Sequence, residues 1–176
     1  TAVVIVSGRS LADLEERFAF PAGVRVIGSH GLESRGDDDV VLDGDEQRTF
    51  DRLESVGLSA VEAAGDGAWL EHKPASVVVH TRLADPELAG QALETVVRLA
   101  ETIDGAQVKE GHHVIELFAR AASKGESFVA LARRLGRPTL VFFGDDVTDE
   151  DAFALMGGDD ISVRVGPGRT AARYRL

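Results

Sequence analysis

"VFFGDDVTDED", residues 141–151, carries the fold reading. Four apolar or small residues run straight into five acids within seven positions. Residues 139–143 are short, apolar and rich in branched and aromatic side chains, the pattern of a strand buried on both faces of a parallel sheet. In open α/β sheets ligands bind beyond the carboxyl ends of the strands, so acids at such a tip point to a site as well as a fold.

Outward from that tip the same texture repeats. Phe128, Leu131, Ala132 and Leu135 mark a helix face that Gly136 ends. Residues 149–156 suit a helix and residues 161–165 a further strand before Gly-Pro-Gly. Near the start, residues 2–6 are a β-branched run, Ser10 is placed to cap a helix carrying Leu11, Leu14 and Phe18, and residues 24–27 suit a second strand. Strand, helix, strand is one unit of a doubly wound sheet.

The middle differs. Residues 37–46 hold six acids and no basic residue, the composition of a solvated loop. A helix over 50–64 and strands over 68–72 and 76–82 come next. A second helix, opened by Asp85-Pro86 and faced by Leu88, Ala92, Val96, Ala100 and Ile103, leads to strands over 106–108 and 113–118. Helix–strand–strand occurs twice, which predicts an α+β module inserted into the larger sheet. The expected fold class is α/β: a Rossmann-like doubly wound parallel core, residues 1–32 and 120–176, with an inserted α+β cap over residues 33–119.

The 176 residues are 44% hydrophobic and 28% charged, enough apolar material for a substantial core. The absence of cysteine excludes disulfides, thiolate metal sites and thiol nucleophiles, and agrees with a reducing compartment, so a cytoplasmic location is expected. Residues 1–10 lack the basic lead and long apolar run of a secretory signal, and no apolar stretch reaches membrane-spanning length. A net charge of −11 argues against nucleic acid or an anionic membrane as partner. A small-molecule substrate and a monomer are the expectation.

Three groups of residues suit chemistry. Ser7, Gly8 and Arg9 offer a hydroxyl, backbone amides and a guanidinium beside a helix start, an arrangement suited to an anion, although Ser7 and Ser10 as plain caps explain the tripeptide alone. Asp145, Asp146, Asp149, Glu150 and Asp151 would repel one another without a cation or bulk water, and oxygen ligands at a strand tip suit Mg²⁺. Acids at a helix start capped by Thr148 explain Asp149, Glu150 and Asp151, but not Asp145, which directly follows the strand. Lys124 stands before a helix, where the dipole disfavours a cation unless an anion faces it. Together these describe a site for a phosphoryl group with Mg²⁺.

"VSGR", "SKG" and "GDDVTDED" resemble the second, third and fourth motifs of the haloacid-dehalogenase-like phosphatases. "GSHGLE" (28–33), "LEHKPASVVVHTR" (70–82) and "GHHVIEL" (111–117) are similar to the trehalose-6-phosphate phosphatase branch, and the resemblance covers essentially the whole chain. It implies Mg²⁺-dependent hydrolysis of trehalose 6-phosphate through an aspartyl phosphate. Ser7 and Lys124 would then serve catalysis, with Gly8 and Arg9 at the phosphate. Asp145, assisted by Asp146 and Asp149, would bind the metal, and Lys73, Arg82 and Glu116 the sugar. Glu71 and His80 also fall on family positions.

Two departures stand out. His112 and His113 precede "VIEL" and Phe118-Ala119 follow it, where the family usually carries Lys and Arg-Pro. No Asp-x-Asp-Gly-Thr string, the family's nucleophile motif, occurs in these residues. The resemblance places that strand centrally, between "AVVIVSG" and "LVFFGDD", so an upstream segment is expected to supply it. The alternatives are a related sugar-phosphate phosphatase, or a domain that binds sugar phosphate or stabilises a synthase without turnover.

Overall fold

The structure is a computed structural model that describes residues 1–37, 40–136 and 139–176. Two compact units form, one from residues 1–38 and 122–176, the other from residues 39–121.

In the first unit β1 (Val3–Val6), α1 (Leu11–Arg17), β2 (Val24–Gly28) and β3 (Glu33–Ser34) come first. β1 and β2 pair in parallel and β3 closes antiparallel on β2. Ser10 caps α1 by accepting from the Asp13 amide at 3.2 Å. The second unit begins with α2 (Gly44–Ala64), β4 (Trp69–Lys73) and β5 (Ser76–His80), and continues with α3 (Pro86–Ala100), β6 (Gln107–Gly111) and β7 (Val114–Phe118). The chain then completes the first unit with α4 (Lys124–Arg134), β8 (Val141–Gly144), α5 (Glu150–Leu155), β9 (Ile161–Arg164) and β10 (Tyr174–Arg175), the last three strands all parallel.

The helix–strand–strand repeat makes one antiparallel sheet of order β4-β5-β7-β6. Its odd face meets the helices: Val77, Val79, Ile115 and Leu117 are buried against Leu53 and Ala60 of α2 and Val96 and Ala100 of α3. The other face carries Trp69, Glu71, Lys73, Val78, His80 and Glu116, because side chains alternate across a strand.

The acid-rich stretch differs from its expected reading as a loop. Asp43 caps α2, accepting from the Asp45 and Glu46 amides at 2.9 Å each, while the Glu46 carboxylate reaches back to the Asp43 amide. That reciprocal pair begins the helix at Gly44, six residues before the expected start at residue 50. Asp38 and Asp39, in the same acidic run, lie outside the described residues.

The core strands form two three-stranded sheets, β1-β2-β3 and β10-β9-β8, which leaves the gap expected where the family's central strand is not among these residues. Among the described residues β1 is paired on one side only, to β2, and β8 on one side only, to β9. Their outward residues are open, Val3 at 56% and Phe143 at 58% exposure, whereas strands buried on both faces were expected. Phe142, pointing the other way, packs with Phe128, Ala152, Phe153 and Val6, so the unit's core ties α4, α5 and both sheets together.

Candidate phosphoryl and sugar sites

The acids after β8 are organised by backbone. Gly144 ends the strand, and a Cβ there would stand 2.4 Å from the Asp149 Cβ, so only glycine lets Asp149 fold against the strand tip. Asp149 is buried: its Oδ2 accepts from the amides of Asp145 and Asp146 at 3.0 and 2.9 Å, and its Oδ1 accepts from Lys124 Nζ at 3.0 Å. Asp149 is therefore no ordinary helix-start acid. Lys124 opens α4, capped by Ser123, and is itself buried. Gly125 permits the close seat of that helix, because a Cβ there would lie 2.7 Å from the backbone of Ala152.

The other acids separate. Asp146, rather than the expected Thr148, caps the turn at Val147–Asp149, accepting from the Val147 amide at 2.6 Å. Glu150 accepts from the Ala171 amide at 2.7 Å and faces Arg164, so it braces the C-terminal segment instead of merely favouring a helix start. Asp145 is exposed, and its carboxylate accepts no hydrogen bond among the described residues. One free carboxylate with a second beside it fits Mg²⁺, which takes few protein carboxylates and fills its shell with water or phosphate oxygens. No three metal-binding side chains converge among the described residues.

Ser7 ends β1. Its hydroxyl accepts from the Arg9 amide at 3.1 Å, while Arg9 Nη1 donates to Asp13 at 2.6 Å. Hydrogen bonds first from Arg9 and then from Arg17 hold the Asp13 carboxyl below its usual range. A turn at Ser29–Gly31, which sequence reasoning did not assign, connects this loop to α4. His30 donates its amide to Ser7 O at 3.0 Å and packs its ring on Gly8, and Ser127 Oγ donates to Gly31 O at 3.2 Å. Ser29 and His30 both hold positive φ, of 45° and 55°, strain of the kind stored at functional sites. The only sequence signal there was "GSHG".

In the second unit Lys73 Nζ donates to Glu116 Oε1 at 3.0 Å and Ser76 Oγ donates to the same oxygen at 2.7 Å. β4, β5 and β7 are neighbours, so residues 43 positions apart meet across three strands. Glu71 Oε2 lies 2.7 Å from His80 Nε2, and that hydrogen bond is the main cause holding the Glu71 carboxyl below its usual range. Trp69 stacks on His80. Arg82 lies exposed beyond β5, away from this cluster's hydrogen bonds.

A family profile described as Trehalose-phosphatase matches residues 1–170. The trehalose-6-phosphate phosphatase of Escherichia coli (strain K12) is 35% identical over 99% of this chain, and the trehalose-phosphate phosphatase of Mycobacterium marinum is 32% identical over 99%. The chain spans 66% of the first relative's length and 48% of the second's. The C-terminal domain of the C. albicans trehalose-6-phosphate phosphatase has the same fold, with a TM-score of 0.76 at 23% identity over 99% of this chain and 73% of that one. The chain belongs to the trehalose-phosphatase family.

Proposed function

We propose that the complete protein hydrolyses trehalose 6-phosphate to trehalose and phosphate, with Mg²⁺ as cofactor and an aspartyl phosphate as intermediate. The observation that carries the reading is the buried Lys124–Asp149 pair, whose carboxylate also gathers the amides that hold Asp145 at the strand tip. A buried lysine with a fixed carboxylate partner suits an anion that arrives from outside.

Residues 1–32 and 120–176 serve as the phosphatase core in this reading, and residues 33–119 as the cap that selects the sugar. Ser7 offers its hydroxyl to the phosphoryl oxygens and the amides around Gly8 and Arg9 orient them. Lys124 neutralises the charge that gathers on those oxygens. Asp145, with Asp146 beside it, would hold Mg²⁺, and the bound ion supplies further positive charge to the phosphoryl group. Asp149 assists by holding Lys124 in place. Lys73 and Glu116 give the sugar hydroxyls a donor and an acceptor, with Arg82 at the margin.

The nucleophile is an aspartate on a strand that pairs with the open edges of β1 and β8. Its carboxylate oxygen bonds to phosphorus as the P–O bond to the sugar breaks, and water then cleaves the acyl phosphate. The unpaired edges and the exposed Val3 and Phe143 support this, because unpaired strand edges and bare apolar side chains are costly in water. The reading takes the protein as a cytoplasmic monomer; the chain has no cysteine, and no helix among the described residues is long and apolar enough to cross a membrane. Phosphate release by the full-length protein from trehalose 6-phosphate, sucrose 6-phosphate and glucose 6-phosphate, with and without a chelator, tests it. A chelator-sensitive preference for trehalose 6-phosphate is expected, and a preference for sucrose 6-phosphate or no release at all would overturn it.

A further inference from the structure

We propose that Trp69 is a stacking platform for a second sugar ring, and that it lets the cap distinguish a disaccharide phosphate from a monosaccharide phosphate. The inference rests on the phosphatase reading for the substrate class, and on the geometry of β4 and β5 for the residue. Trp69 lies at the start of β4, on an edge strand, and keeps 43% of its surface exposed. Its indole stacks on the cross-strand partner His80 with ring centroids 4.6 Å apart and planes 5° from parallel. The His80 imidazole is hydrogen-bonded in turn to Glu71, which fixes its plane. A large flat aromatic surface is therefore held rigid at its back and open at its front.

The same sheet face carries the rest of a sugar site. Trp69, Glu71 and Lys73 alternate along β4, and Glu116 joins them across β5 and β7. A pyranose presents an apolar C–H face and a rim of hydroxyls, so one ring can stack on the indole while its hydroxyls bond the Glu71 carboxylate and the indole N–H. That N–H donates to no group among the described residues. Lys73 reaches back to Glu116, which is in register with Glu71, two residues along from Trp69 and two strands across, about 7 Å by about 10 Å. A ring stacked on the indole therefore leaves the Lys73–Glu116 pair to a second ring.

The full-length protein and its Trp69→Ala and Trp69→Phe variants test this. The ratio of kcat/KM for trehalose 6-phosphate to that for glucose 6-phosphate should fall about tenfold in Trp69→Ala, through KM. Trp69→Phe, which keeps an aromatic face, should recover most of the preference. An equal loss on both substrates, or an unchanged ratio, overturns the proposal. Calorimetric titration with trehalose reads the platform without turnover: Trp69→Ala should weaken binding about tenfold. Equal affinity in the two proteins overturns the platform even if phosphate release is normal. Binding that depends on Trp69 without any phosphate release would support the platform and sink the phosphatase reading alone.

Discussion

Each unit buries one lysine–carboxylate pair at 3.0 Å, and the two pairs are built differently. Lys124 and Asp149 are 8% and 7% exposed, Lys73 and Glu116 7% and 10%, so burial does not distinguish them. Their anchoring does. Asp149 places its second oxygen on two backbone amides of its own strand tip, whereas Glu116 receives the side chains of Lys73 and Ser76 on a single oxygen, from β4 and β5 of the same sheet. A pair tied to the backbone holds one geometry, which suits fixed charge for a phosphoryl group. A carboxylate oxygen that receives side-chain donors can exchange them for a ligand's hydroxyls.

Breaking the first pair should have the largest effect. Lys124→Ala leaves Asp149 a buried charge without its cation and should cost about 3–5 kcal/mol of stability. It should also lower turnover of the full-length protein about 10²–10³-fold. Denaturant melts and phosphate release measure the two losses. Gly144→Ala attacks the same pair through space, because the new Cβ must displace the Asp149 side chain from its root. It should cost about 1–3 kcal/mol in the same melts and reduce turnover with it. Glu116→Gln keeps the shape of the second pair and removes its charge. If that pair exchanges with sugar hydroxyls, KM for trehalose 6-phosphate should rise about tenfold while kcat changes little.

The smallest effect concerns the cap's own frame. Arg120 bonds Glu46 through both Nε and Nη2, and that contact, followed by the Asp43 amide, holds Glu46 at about 2 against an ordinary 4.5. A depressed carboxyl stabilises the folded state above its unfolded value and loses that contribution as pH falls through the folded one. The difference in thermal midpoint between the native protein and Arg120→Ala should therefore be full above about pH 4.5 and shrink toward pH 2. A difference that is constant with pH would remove Glu46 from the cause.

The two pairs were also unequally legible. Lys124 and the acids after β8 stand in short local strings, and local rules suffice to suspect a site there. What those rules could not show was the division of labour. Asp149 obeys the preference of acids for helix starts, and only the missing Cβ of Gly144 lets it turn inward to Lys124. The β-branched run at residues 3–6 and the Asp85-Pro86 start announced their elements. The start of α2 did not, because an acid-rich run looks like a loop until Asp43 and Glu46 are seen to cap each other. β3 and β10, two residues each, are too short for any periodicity to show. Lys73–Glu116 was legible only through resemblance, since a contact across 43 positions depends on strand order. Trp69 had no signal, because a lone tryptophan at a strand start reads as core.

The most direct test of a backbone-anchored metal and phosphoryl site is the Mg²⁺ dependence of phosphate release from trehalose 6-phosphate by the full-length protein and its Asp145→Asn variant. Asp145 is exposed and its carboxylate accepts no hydrogen bond among the described residues, so the change should leave folding intact. The expected result is release that requires Mg²⁺ in the native protein and falls about 10²–10³-fold in the variant at the same ion concentration. Near-native release by Asp145→Asn, or release indifferent to Mg²⁺ in both, would contradict it.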